Sequence, residues 1–179
     1  MRASKVATVL AILVATAALA GCGSSTVSPG AYVKSFCTAI GPFQRGFQDR
    51  ESALKVSLSQ ASTAAQSKSV FQGFLAALAS DTSHVVTRLK AAGTPKVASG
   101  KMIASGIVNA FAKLQGALSR AASQARSLPT TSLAAFKAAA QPVAAGVGSS
   151  TTGLTTSLSA PELAKVEASE PACQLSSSG

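Results

Sequence analysis

His84 is the only histidine in a chain of 179 residues, so any acid–base chemistry that needs an imidazole must run through it. Asp81 precedes it by three residues, a spacing that puts both side chains on one face of a helix. There the carboxylate could orient the ring for a serine nucleophile, as in a hydrolase. Any exposed helical pair has the same spacing, and no Gly-x-Ser-x-Gly elbow or glycine-rich oxyanion turn accompanies it. The six acids, Asp49, Glu51, Asp81, Glu162, Glu167 and Glu170, form no paired-carboxylate motif. Asp49 and Glu51 alternate with Arg50 as on a solvated face, and Glu162 reads as part of a helix cap. Gly146-Val147-Gly148 lacks the strand, third glycine and lysine of a phosphate-binding loop. One histidine and three cysteines leave no ligand set for a multi-ligand zinc site or an iron–sulfur centre. The expectation is a non-enzymatic protein without metal or cofactor, with a hydrolase using His84 as the least favoured alternative.

Charge carries more functional content. Sixteen Lys+Arg against six Asp+Glu give a formal charge of +10. Between Asp81 and Glu162 no acid interrupts Arg88, Lys90, Lys96, Lys101, Lys113, Arg120, Arg126 and Lys137. At about 100° per residue, Lys101, Lys113, Arg120 and Arg126 turn away from the Ile107, Phe111 and Leu114 stripe, which predicts a basic outer face on the third helix. Such a face suggests nucleic acid, but no aromatic residues are interleaved with the charges for base stacking. An anionic envelope component is the better expectation: phospholipid headgroups, an acidic wall polymer or an acidic envelope protein. The plainer account is that these cations keep an alanine-rich bundle soluble. The phenylalanines at 36, 43, 47, 71, 74, 111 and 136 raise a second alternative, a carrier of a lipid or small apolar ligand. Their helical spacing fits a core equally well, and an alanine-rich core has little spare volume.

The compartment follows from the first residues. Arg2 and Lys5 precede an apolar run from Val6 to Ala20, shorter than the roughly 20 residues a helical span needs. It leads into Leu19-Ala20-Gly21-Cys22. This tetrapeptide, at this distance from a basic start, resembles the lipobox of bacterial lipoprotein signal peptides. The resemblance implies that residues 1–21 are a cleaved signal peptide and that Cys22 carries a diacylglyceryl thioether. The protein would then be anchored to the extracytoplasmic face of the cell membrane. Loss of Arg2 and Lys5 would leave a formal charge of +8, down from +10. With Cys22 committed to lipid, Cys37 and Cys173 remain as an even pair in an exported chain, and a disulfide is expected between them. Nothing like Cys-x-x-Cys points to redox activity.

The elements that must position these residues are helical. Residues 22–28 read as the lipidated cysteine and a short flexible tether, Gly-Ser-Ser-Thr-Val-Ser, and 29–179 as one bundle domain. Ser28-Pro29 is a helix start, followed by Tyr32, Phe36, Ile40, Phe43 and Phe47 at helical steps, with a kink expected at Gly41-Pro42. Phe71 to Leu89 carries a second stripe with Thr82 in its seam, ended by Gly93-Thr94-Pro95. Ile103 to Leu128 carries a third, and a fourth runs from Leu133 towards Leu158 through Pro142. Ser159-Ala160-Pro161-Glu162 suggests a capping box and a short final helix through Glu167. No strand pattern competes. The fold class is therefore all-α: an antiparallel four-helix bundle with a short extra C-terminal helix and one disulfide. The Tyr32…Cys37 start, the Gly93-Thr94-Pro95…Gly100 turn and the Pro171-Ala172-Cys173 end resemble small exported helical proteins and lipoproteins of high-GC Gram-positive bacteria. Those proteins have no settled activity, so the resemblance implies a fold and an address only.

Overall fold

A computed structural model describes residues 25–151, 154 and 160–174. The expected signal peptide, Cys22, Leu158 and Ser159 lie outside these residues. Helix α1 spans Pro29–Gln60, α2 Ala64–Ala91, α3 Gly100–Ala125 and α4 Leu133–Thr151, with two short helices, α5 (Pro161–Glu167) and α6 (Pro171–Gln174), after them. The four long helices form an antiparallel bundle. α3 packs on α2 and α4, while α1 lies against α2 and is braced by α5 and α6.

Each start has a local cause. The Ser28 hydroxyl accepts from the Ala31 amide at 3.2 Å, with Pro29 pre-set for the first turn. At α2, Thr63 and Gln66 form a reciprocal capping box. Residues 61–63 thereby make a tight corner between two full helices. The Ser132 hydroxyl accepts from Ala135 at 3.1 Å at the start of α4. α1 continues through Pro42 despite the amide it lacks. The expected cap of the final helix is shifted by one: Ala160 occupies the N-cap without a side-chain bond, because Pro161 takes the first helical position.

The core has two centres. Near the start of α1, Tyr32, Val33, Ile40, Val85, Leu89 and Ile107 pack together with Leu163 and the cysteine pair. Towards the other end, Phe71, Leu75, Leu78, Leu114, Leu118 and Phe136 pack around the middle of α2 and α3. Edge-to-face ring pairs hold both, Phe43 on Phe111 at 6.0 Å and Phe71 on Phe136 at 6.3 Å. Cys37 and Cys173 are joined in a disulfide, with Cα atoms 4.9 Å apart, closing a loop of 136 residues. It ties the C-terminal segment back to the third turn of α1.

The tether expectation needs correction at its last residues. Thr26–Val27 form a two-residue strand, β1, paired in parallel with Thr94–Pro95, β2, in the turn between α2 and α3. The Thr94 amide donates to the Ser25 carbonyl at 2.9 Å and the Lys96 amide to that of Val27 at 2.8 Å. Residues 25–27 are thus part of the folded body. Two residues on each side are too few to show a period-2 pattern in the sequence.

Candidate functional site

Among the described residues, an open cleft of about 400 Å³ between α1 and α2 brings several chemistry-bearing side chains together. On α2, Asp81, His84, Val85 and Arg88 follow one another at steps of three, one and three residues along its wall. On α1, the facing wall is Ala39, Pro42, Phe43, Gly46 and Arg50. Small residues at 39 and 46 leave room that larger apolar side chains would have filled.

His84 is exposed on the rim of this cleft. The carboxylate of Asp81 accepts from Arg50 of α1, Nε to Oδ2 at 2.8 Å and Nη2 to Oδ1 at 3.4 Å. Fork geometry and partial burial on both sides make this more specific than the Glu51–Lys55 pair one turn further along α1. The pairing fixes the register of α1 against α2, and it engages the carboxylate that a His84-based hydrolase would need as orienting group. No serine lines the cleft, so nucleophile, base and orienting acid do not converge there.

The cysteine pair lies beside Glu167, and the three side chains come within 4.8 Å of one another. The two sulfurs are bonded to each other and have no thiolate to offer a metal. A second cavity, of about 160 Å³, is mostly apolar, lined by Phe43, Phe47, Leu78, Leu114, Leu118 and Val147 with Gln44 and Thr151 at its edge. Its volume falls well below the several hundred Å³ typical of small-molecule sites. Of the phenylalanines expected around a carrier cavity, Phe71 and Phe111 are core residues, and Phe43 and Phe47 reach this void.

Lys101, Lys113, Arg120 and Arg126 are all exposed on α3. Lys113 and Arg120, two turns apart, share a line along the helix. Lys101 and Arg126 stand at its two ends, about 37 Å apart at 1.5 Å per residue. The helix surface is basic, but its charges run the length of the rod and do not converge on one spot. Among the described residues no helix is long and apolar enough to cross a membrane.

Among the described residues, Tyr32 is a titratable group that the fold clearly alters. Burial, to 1 % exposure, pushes its hydroxyl up from 10.0 to about 12. Comparison with protein-family models, with curated proteins and with solved structures found no match. The functional reading therefore stands on the residues themselves. Two features of the site were not anticipated from the sequence, the Arg50–Asp81 pair and the β1–β2 clamp. Both join residues far apart in the chain, and neither leaves a local signature.

Proposed function

We propose that the protein is a lipid-anchored, non-enzymatic helical bundle at the extracytoplasmic face of the cell membrane, where it binds or scaffolds an anionic envelope component. The observation that carries this reading is how close the bundle begins to the lipobox-like cysteine. Ser25 is already hydrogen-bonded to Thr94, three residues after Cys22, so a lipid on Cys22 would hold the folded body at the surface with little slack. The exposed cations of α3 support an anionic partner there, whether phospholipid, wall polymer or acidic protein.

Carriage of an apolar ligand fits less well. The apolar cavity is small, and the larger cleft is edged by Arg50, Asp81, His84 and Arg88. Hydrolysis through His84 fits less well again, for want of a serine and a free orienting carboxylate.

Intact mass of the chain recovered from the membrane fraction tests the anchor. The expected species begins at Cys22 and carries acyl chains, and the Cys22→Ala variant leaves that fraction. A mature chain starting elsewhere, or one without lipid, overturns the reading. Changing Lys101, Lys113, Arg120 and Arg126 together to Gln tests the partner class: retention on anionic lipid or polymer should weaken and become less salt-sensitive. Unaltered retention would leave the charges with a solubility role alone.

A further inference from the structure

We propose that one end of the bundle, made of β1, β2 and the first turn of α3, rests on the anionic phospholipid surface, with Lys96 and Lys101 meeting headgroups and Met102 entering the interface. The proposal takes its placement from the Cys22 anchor and adds which surface of the bundle faces the membrane.

Chain length comes first. Three Cα–Cα steps of 3.8 Å separate Cys22 from Ser25, so the span is at most about 11 Å. Ser25 and Val27 are hydrogen-bonded to the α2–α3 turn, which extends that limit to the turn itself. A free tether through residue 28 would have let any side of the bundle approach the bilayer, whereas the clamp leaves one end within reach. The remaining distance is comparable to the Debye length at physiological ionic strength, about 8 Å, so charges on that end act on the surface without being fully screened.

Composition comes second. The turn presents Lys96, and Lys101 and Met102 follow at the start of α3. Both lysines are exposed, and Met102 is 70 % exposed, against 36–55 % for Phe47, Val56 and Leu133. A flexible, unbranched apolar side chain flanked by lysines suits the headgroup boundary, where the apolar part enters and the cations stay at phosphate level. Lys90 in the last turn of α2 and Lys34 on α1 add to the same sign. Cys173 of α6 is bonded to Cys37, about 12 Å along α1 from its start.

Rigidity comes third. Gly93 has φ +80°, and a Cβ there would meet the Ser25 backbone oxygen at 2.5 Å. A Cβ on Gly100 would collide with the backbone oxygen of Pro95. Both glycines allow backbones to pass in contact, so the backbone of this end is preformed.

The test uses the full chain, recovered from membranes and reconstituted into phosphatidylcholine vesicles containing about one-third phosphatidylglycerol. With Cys22 acylated and Cys37 bonded to Cys173, a cysteine introduced as M102C or S127C is the one free thiol. Each takes an environment-sensitive fluorophore, and a nitroxide-bearing lipid serves as quencher. Quenching at 102 with little at 127, in the turn beyond the other end of α3, is the expected result. Equal quenching at the two sites, or stronger quenching at 127, overturns the proposal. Changing Lys96 and Lys101 to Glu in the Cys22→Ala chain should lower its affinity for the same vesicles by about fivefold or more per lysine, and an unchanged affinity also counts against it. Mass spectrometry of the same samples keeps the two readings apart. If Cys22 bears no lipid, the anchor fails by itself; M102C labelled in the Cys22→Ala chain and added to the vesicles then upholds the surface by quenching at 102, or overturns it by showing none.

Discussion

The backbone oxygen of Ser25 stands 2.5 Å from the position a Cβ on Gly93 would occupy, and Gly93 holds a φ of +80°. The entering strand and the α2–α3 turn can touch because residue 93 has no side chain. Gly93→Ala should therefore cost about 1–2 kcal/mol from the left-handed backbone alone, and more from the collision. Hydrogen exchange should show the Thr94 and Lys96 amides losing protection while the α2 and α3 amides around Leu89 and Ile107 keep theirs. Unchanged protection at 94 and 96 would mean that the clamp does not depend on this glycine.

The Cys37–Cys173 bridge closes a loop of 136 residues, and the chain-entropy account assigns such a closure about 5 kcal/mol. It also holds α5 and α6, which are too short to persist alone and otherwise rest on Leu163 and a few half-buried neighbours. Urea unfolding of the oxidised protein and of a Cys37→Ser, Cys173→Ser variant should differ by about 3–5 kcal/mol. Amides of residues 160–174 should be the first to lose protection in the variant. A difference under 1 kcal/mol would show that the reduced chain keeps the C-terminal segment docked by packing alone.

Tyr32 is the single tyrosine of the chain, so its phenolate absorbance reports one site. Burial raises its folded value from 10.0 to about 12. The unfolded chain releases this proton near pH 10 while the folded chain keeps it. The associated stability is complete below pH 10 and is lost as pH rises from 10 to 12, by up to about 2–3 kcal/mol. Spectrophotometric titration of the native protein should give a midpoint well above 10. Tyr32→Phe should remove this component of the alkaline stability loss, and an unshifted midpoint would show that water reaches the phenol.

The fold was legible wherever neighbouring residues carry the information. Helical steps from Tyr32 to Phe47 and from Phe71 to Leu89 predict α1 and α2, and Thr82, the polar residue in the second seam, is fully buried with its hydroxyl donating to the Leu78 carbonyl at 2.7 Å. Gly93 and Pro129 mark helix ends. The Thr63–Gln66 capping box was present as Thr-Ala-Ala-Gln and needed only to be read. Other features depend on the assembled structure. Arg50 meets Asp81 across 31 residues of sequence, and the α3 cations, all turned away from the apolar stripe, are spread along the helix's own length. The cysteine pair was legible because the lipobox resemblance set Cys22 aside and left two; their proximity belongs to the packing of α6 on α1.

Phe136 is the one fully enclosed side chain of α4, inserted against Phe71 in an edge-to-face contact. Other contacts of that helix with the core, through Ala139, Ala140, Val143 and Val147, are half-buried. Large-to-small replacement of a buried phenylalanine costs about 3–5 kcal/mol. Here the loss should be local, because α1, α2 and the first half of α3 share a core centre that excludes α4. Phe136→Ala should therefore undock α4 while the rest of the bundle stays folded. Limited trypsin digestion offers a direct reading, since Lys137 is exposed beside it and cleavage requires the helix to open. Cleavage after Lys137 should accelerate with the α1–α3 fragments left intact, and Leu133→Ala, at a residue already 36 % exposed, should change it little. Simultaneous digestion of all four helices would instead mean that the two core centres unfold as one cooperative unit.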